Sequence, residues 1–353
     1  MSVRGLGGLL AVLAAAAMAL APAASAKKAP RSFFGVVPQE PLAGTDYSNL
    51  ADARVGTVRL PFNWASIQQV KGKCRSEPQV GVCSWTVTDD IVANLASAGI
   101  RVLPILYGSP RFVSKYPSKP PLGKGLARWK AFLKSVAERY GRKGVFWRGF
   151  DDSGARPVPI TDWQVWNEPN SKQFWHPDPN ARRYAALVKA SARALRNGDR
   201  KADVVLGGMF ADAKVPIGSY MRRFYRVKRI GRSFEELAIH PYAATLKGLK
   251  RQIGKARRAA RGKTQIRVTE LGWSSKNGNH PLMKGRKGQA NLLRKAFRLL
   301  SGHRKRWHIT GVNWFALRDT SNRATCQFCR QSGLIEENGT AKPAWKTFKR
   351  FSK

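Results

Sequence analysis

From residue 33 onward, short runs rich in β-branched and aromatic residues alternate with longer amphipathic stretches, and the alternation repeats eight times. The short runs are FFGVV from Phe33, GTVRL from Gly56, RVLPIL from Arg101, DWQVW from Asp162, DVVLGG from Asp203, ELAIH from Glu236, QIRVTE from Gln265 and ITGVNWF from Ile309. The stretches between and after them read as helices over 46–54, 88–99, 125–141, 181–198, 218–231, 245–262, 288–302 and 343–351. Several place apolar residues at i, i+3, i+4 and i+7, and several close on the glycine suited to a helix end. Strands alternating with helices predict parallel strands joined by crossovers. Eight such pairs in order predict an α/β fold of the (β/α)8 TIM-barrel class. An open doubly wound sheet is the alternative, but no glycine-rich phosphate loop follows the first strand. With 353 residues, 43% of them apolar, a single barrel domain accounts for the whole length.

The first 26 residues carry Arg4, an alanine- and leucine-rich run, Pro22 and the small-residue site Ala24-Ser25-Ala26. This reads as a secretory signal peptide, with a mature domain over 27–353, rather than as a retained membrane anchor, because no stop-transfer pattern flanks it. A secreted or cell-surface protein fits four cysteines in two sequence-local pairs. Of the three pairings possible, Cys74 with Cys83 and Cys326 with Cys329 is the expected one. The C-x-x-C spacing also suits redox chemistry or half of a zinc site, although no second C-x-x-C and no paired histidines accompany it. With 64 Lys and Arg against 21 Asp and Glu, the formal charge of +43 attracts polyanions in general, without choosing among them. The densest basic stretch, residues 246–263, looks like a helix with its cations in solvent, and no nucleic-acid-binding signature occurs.

Although acidic residues are few, Glu168 and Glu270 both fall at the ends of predicted strands, the fourth and the seventh. In a barrel, strand C-termini converge on one mouth from distant parts of the sequence. Two facing carboxylates are the minimal equipment for cleaving a glycosidic bond: one protonates the leaving oxygen, the other attacks the sugar or activates water.

The segments WNEPN (166–170), VTELGW (268–273), HPY (240–242), VRLPFNW (58–64) and VNWFALRD (312–319) together carry a resemblance. Over residues 33–351 the chain resembles the clan A glycoside hydrolases, retaining (β/α)8 enzymes that include family 5 cellulases and mannanases and family 39 xylosidases and iduronidases. The resemblance implies an O-glycosidase with Glu168 as acid/base, Asn167 as donor to the sugar 2-hydroxyl and Glu270 as nucleophile. It also implies that Tyr242 hydrogen-bonds the nucleophile, with Arg59 near it, His240 in the substrate site and Trp314 as the platform under the sugar. Trp166 before Asn167 is nearer to the family 39 pattern than to that of family 5. No metal or organic cofactor is expected.

The residues support these roles on their own chemistry. Pro169 cannot continue a strand and favours extended geometry at Glu168, which would end the strand pointing into the mouth. Trp163 and Trp166 would dry the surroundings of Glu168 and favour its protonated form, whereas donors such as Tyr242 and Arg59 would favour the ionised form of Glu270. Trp64, Tyr107, Trp175 and Trp273 follow strands two, three, four and seven and are weaker candidates for stacking on sugars. Glu40 and Asp319, near the ends of strands one and eight, compete for the role of second carboxylate or contact substrate hydroxyls. Asn338-Gly339-Thr340 matches a glycosylation sequon but suits a tight bend better. The expected partner is a carbohydrate, with an anionic or cell-wall-associated glycan the kind the charge attracts. The alternative is a non-catalytic basic barrel that binds glycans or polyanions.

Overall fold

The computed structural model describes residues 28–78, 81–150, 156–210, 213–261, 264–323 and 326–353, so the signal-peptide reading lies outside the described residues. Eight parallel strands form the barrel: β1 (Phe34–Val37), β2 (Thr57–Asn63), β3 (Arg101–Tyr107), β4 (Asp162–Val165), β5 (Asp203–Leu206), β6 (Glu236–His240), β7 (Gln265–Leu271) and β8 (Ile309–Phe315). Each pairs with its sequence neighbour, and β1 pairs with β8 through Phe34–Val312 to Val37–Phe315, so the sheet closes on itself. At the β5–β6 seam only Val205 and Glu236 pair directly, and a two-residue strand, Met209–Phe210, then meets Ile239 and His240.

All eight amphipathic stretches form helices outside the barrel: α1 (Gly44–Asp52), α2 (Thr86–Ser97), α3 (Leu126–Tyr140), α4 (Ala181–Gly198), α5 (Ile217–Phe224), α6 (Leu246–Ala259), α7 (Gly285–Gly302) and α8 (Pro343–Ser352). In α4 the Asn180 side chain accepts from Arg183 N at 3.0 Å and starts the helix. Tyr184, Leu187, Val188, Ala192 and Leu195 then form its buried stripe. Helix α6 buries Leu249, Ile253 and Ala256 and leaves Lys247, Lys250, Arg251, Arg257 and Arg258 exposed, the solvated basic face expected of it. Helix α5 is shorter than its predicted span, because the buried positions Ile217, Tyr220, Met221 and Phe224 end at Phe224 and Arg229 turns the chain in a left-handed conformation.

Both local cysteine pairs are disulfides. The Cys326–Cys329 insertion lines the mouth. The insertion after β2, which holds Cys74–Cys83, drapes over the second half of α3: its Cys74 carbonyl accepts from Ser135 Oγ and its Ser76 carbonyl from Arg139 Nη1. Buried Trp85 and Arg139 hold it there, the indole donating to the Arg75 carbonyl at 2.8 Å.

Inside the barrel the side chains form layers. At the bottom, Arg267 of β7 reaches across to Glu236 of β6 and Asp162 of β4, and burial is outweighed by these two carboxylates. Leu103, Val205 and Ala238 form a dry layer. Gly35 of β1 leaves room for Asn313, whose Nδ2 would stand 2.3 Å from any Cβ placed there. The next polar layer opens into the mouth.

Candidate active site

Arg59 is fully buried on β2, and three acceptors, two from the end of β4 and one from β7, take up its guanidinium. Nε donates to Gln164 Oε1 at 2.6 Å, Nη2 to Asn167 Oδ1 at 2.8 Å and Nη1 to Glu270 Oε1 at 2.7 Å. Gln164 is oriented in turn by donating to the Leu206 carbonyl at 3.1 Å. The planar guanidinium therefore spaces β4 and β7 rigidly, as a flexible ammonium would not. Because Asn167 Oδ1 is occupied, its Nδ2 is the free donor end, and Asn167 lines the cavity.

Two local distortions aim the carboxylates. Arg267 points into the barrel, so strict alternation would turn Glu270 outward. The pairing of β7 with β8 loses register between Val268 and Leu271, and this irregularity brings Glu270 into the mouth. After β4, Trp166 and Glu168 both adopt positive φ, 71° and 36°. The expectation of extended backbone at Glu168 is thus corrected. Pro169 is flanked by stronger constraints: Trp166 N donates to the Leu106 carbonyl, and buried Asn170 bonds both the N–H and the carbonyl of Phe210. Conformations of this kind concentrate at functional sites, where the surroundings enforce them.

Glu168 Oε1 lies 2.7 Å from His240 Nδ1. His240 Nε2 is 3.5 Å from Glu270 Oε1 without a hydrogen bond, and Gly208 packs on that edge of the ring, where a Cβ would be 2.0 Å away. Tyr242 donates to Glu270 Oε2 at 2.8 Å. Burial pushes the Glu270 carboxyl up, but His240, Arg59 and the hydrogen bonds from Tyr242 and Arg59 outweigh it and hold the group below its ordinary range. Burial and the Glu270 charge push the Tyr242 phenol well up, so it remains a donor. One donor atom each from Glu168, His240 and Glu270 lies within 4.8 Å of the others, close enough to share a metal ion. The Arg59 guanidinium already supplies the positive charge at Glu270, so the group suits a carboxylate dyad better.

The dyad opens into a cavity of about 590 Å3, lined also by Asn167, Ser171, Phe174, Phe210, Tyr242, His280, Phe315 and Phe328. Arg59, Asn167, Glu168, His240, Tyr242 and Glu270 therefore come together. The aromatic expectations fare differently. Trp314 is fully buried, packs on Trp273 and Phe297, and donates to the Ser332 carbonyl at 3.0 Å, so it belongs to the barrel wall. Phe315, one residue on, faces the cavity instead. Trp64 is buried against Trp129 and Phe132, Trp175 against Trp166 and Tyr184, and Trp273 donates to the Ala243 carbonyl, so none of the three can stack on a sugar. Tyr107 is half-buried against Trp166 and Phe174, behind the cavity wall, where burial pushes its phenol up to about 12.

Trp163 and Trp166 do not dry Glu168. Gln164 faces the barrel interior, which turns its neighbour Trp163 outward, and the Trp166 indole donates to the Phe174 carbonyl. The group touching the Glu168 carboxylate is His240. Glu40 accepts from Thr320 and borders a separate cavity of about 480 Å3, while Asp319 is paired with Lys342 under the closing loop. Neither is a second carboxylate for the centre. At Asn338, the side chain accepts from Thr340 N and Gly339 takes φ of 90°, a tight bend. Gln164, Gly208, Phe315 and Phe328 escaped the sequence reading. Only the polar Gln164 in an otherwise apolar strand and the Gly207-Gly208 pair after β5 carried a signal there.

A family profile described as a glycosyl hydrolase catalytic core matches residues 159–348. No curated protein matches the chain. Among solved structures, the chain is similar to a GH39 enzyme from Xanthomonas axonopodis pv. citri, with TM-score 0.65 and 17% identity over 92% of this chain and 67% of that one. It is similar to a monomeric β-xylosidase from Caulobacter crescentus CB15, with TM-score 0.64 and 17% identity over 92% of this chain and 69% of that one. A GH53 catalytic domain from Ignisphaera aggregans gives TM-score 0.60 and 17% identity, with 92% and 97% covered. The chain thus spans about two thirds of the first two structures, and at such identities the likeness is one of fold.

Proposed function

The chain belongs to the glycosyl hydrolase catalytic core family, glycosidases acting on O-glycosyl compounds, and on that premise we propose that it cleaves its glycan by double displacement with Glu168 and Glu270. The observation that carries this reading is the approach of the two carboxylates, whose nearest donor atoms lie within 4.8 Å. Retaining glycosidases hold the pair about 5 Å apart, whereas inversion needs about 6.5 to 9.5 Å to admit water as well.

In the first step Glu168 gives its proton to the glycosidic oxygen while Glu270 attacks the anomeric carbon, breaking the C–O bond and forming a glycosyl ester. In the second, Glu168 takes a proton from water, the water oxygen bonds to the anomeric carbon, and Glu270 leaves as carboxylate. Arg59 and Tyr242 favour the ionised Glu270 this requires. His240 orients Glu168, and Asn167 offers Nδ2 to a sugar hydroxyl.

The deciding experiment uses Glu270→Ala with aryl glycosides, beginning with aryl β-xylosides because one of the similar structures is a β-xylosidase. Azide should restore turnover and give a glycosyl azide of inverted anomeric configuration relative to the wild-type product. Wild-type turnover that the substitution leaves intact would sink the mechanism. Residues 1–26 support export of the protein, testable by finding Lys27 at the N-terminus of the secreted form. The charge of +43 supports attachment to anionic or cell-wall glycans, testable as salt-sensitive retention on them.

A further inference from the structure

Phe328 sits inside the four-residue turn closed by the Cys326–Cys329 disulfide, and both cysteines and Phe328 line the cavity that holds Glu168 and Glu270. Its ring stacks on the His280 imidazole at 5.2 Å with 13° between planes, and meets the Tyr242 ring edge-on at 5.5 Å. Tyr242 is the donor to Glu270, so this wall is continuous with the reacting centre. The turn is anchored downstream: the Cys329 carbonyl accepts from Gln39, and Ser332 Oγ donates to the Phe328 carbonyl at 2.8 Å. Upstream, the cross-link itself ties Cys326 to this anchored half. Cys326 is exposed while Cys329 is buried, so a reducing thiolate has a sulfur to attack.

We propose that Phe328, presented by the Cys326–Cys329 turn and backed by His280, is a substrate-holding wall on which a sugar ring stacks, and that opening the disulfide weakens glycan binding. This rests on the glycosidase reading of the same cavity. An aromatic face suits the apolar C–H face of a sugar ring, and a short cross-linked turn fixes that face before substrate arrives. The switching step is thiol–disulfide exchange: a dithiol reductant is oxidised to its disulfide, the Cys326–Cys329 bond breaks, and each cysteine sulfur ends as a thiol. Phe328 then keeps its packing on His280 and Tyr242 and the hydrogen bonds of the turn to Ser332 and Gln39, but loses the covalent tie that fixes Cys326 to this anchored half.

The test compares wild type, Phe328→Ala, Phe328→Tyr and the Cys326→Ser/Cys329→Ser double variant, with and without a dithiol. It reads KM and kcat on an aryl glycoside, and oligosaccharide affinity by calorimetry. Phe328→Ala, the double variant and the reduced wild type should each raise KM or Kd about five- to tenfold, with kcat changed less than twofold. Phe328→Tyr should restore the affinity, and the double variant should ignore the dithiol. Mass mapping of the reduced protein identifies which disulfide has opened. Unchanged KM and Kd in Phe328→Ala would overturn the wall. Reductant sensitivity persisting in the double variant would overturn the switch and assign it to Cys74–Cys83. A wild type silent on every aryl glycoside but binding oligosaccharides through Phe328 would sink the glycosidase reading alone, and silence in both assays would sink both.

Discussion

Arg59 and Glu270, 211 residues apart in sequence, meet at 2.7 Å between β2 and β7, and the same guanidinium holds Gln164 and Asn167. One buried cation thus favours the ionised Glu270 and positions the strand that leads to Glu168. Its removal should be felt in both.

The pH dependence follows from the sign of the Glu270 shift. Burial would raise this carboxyl, but His240, Arg59 and hydrogen bonds hold it low in the folded protein. A depressed carboxyl stabilises the fold above its unfolded value of about 4.3, and this contribution is lost as pH falls through the folded value. The proposed double displacement needs the same ionised group, so the acid limb of kcat/KM should lie below about pH 4.3 in wild type. In Arg59→Ala it should move to higher pH. At neutral pH kcat should fall about 100-fold or more, and stability by about 3 kcal/mol, because Glu270 is left buried without its cation. A pH profile with an unmoved acid limb would show that Arg59 does not control the ionisation of Glu270.

Tyr242→Phe separates the hydrogen bond from the packing. The hydroxyl donates to Glu270 Oε2 at 2.8 Å, while the ring packs against Phe315 and Phe328 independently of it. Losing one donor to a charged group should lower kcat about 10- to 100-fold and stability by about 1 to 2 kcal/mol, with KM nearly unchanged. A rise in KM with kcat intact would instead make Tyr242 a substrate contact only.

Gly208→Ala probes the support of Glu168, the proposed acid. Its Cβ would stand 2.0 Å from His240 Nε2, so the ring must shift, and the Nδ1 contact with Glu168 must shift with it. The substitution should cost about 1 to 3 kcal/mol of stability through overpacking and reduce kcat about tenfold or more. A crystal structure should show the imidazole displaced. Wild-type kinetics in the variant would mean that the His240 position does not matter to Glu168.

The strands and the dyad were legible because they depend on patterns carried within each segment: an apolar run gives a strand, and Glu168 or Glu270 at its end gives a rim carboxylate. What escaped depends on which face a residue presents. Alternation separates Trp314 from Phe315 only once one residue of β8 is known to face the barrel interior, as Asn313 does beside Gly35, and the apolar run alone does not say which. Trp163 and Trp166 sit beside Glu168 in sequence, yet strand alternation and the positive φ of Trp166 turn both indoles away from it. Phe328 was invisible for another reason: its place in the cavity comes from a loop folded back over the mouth, with Cys329 tied to Gln39 far along the chain.

The contrast between Trp314 and Phe315 is itself testable. Trp314 packs on Trp273 at 5.9 Å and on Phe297, with its indole N–H satisfied by Ser332, and has no face toward the cavity. Trp314→Ala should therefore cost about 3 to 5 kcal/mol of stability, and any folded fraction should retain the wild-type KM. Phe315 is only partly buried and lines the cavity beside Tyr242, so Phe315→Ala should raise KM about tenfold, with a smaller loss of stability. Denaturant titration together with steady-state kinetics on both variants reads the two effects separately. If Trp314→Ala raised KM at unchanged stability while Phe315→Ala did not, the sugar platform would lie on Trp314 and the orientation of the end of β8 would have to be redrawn.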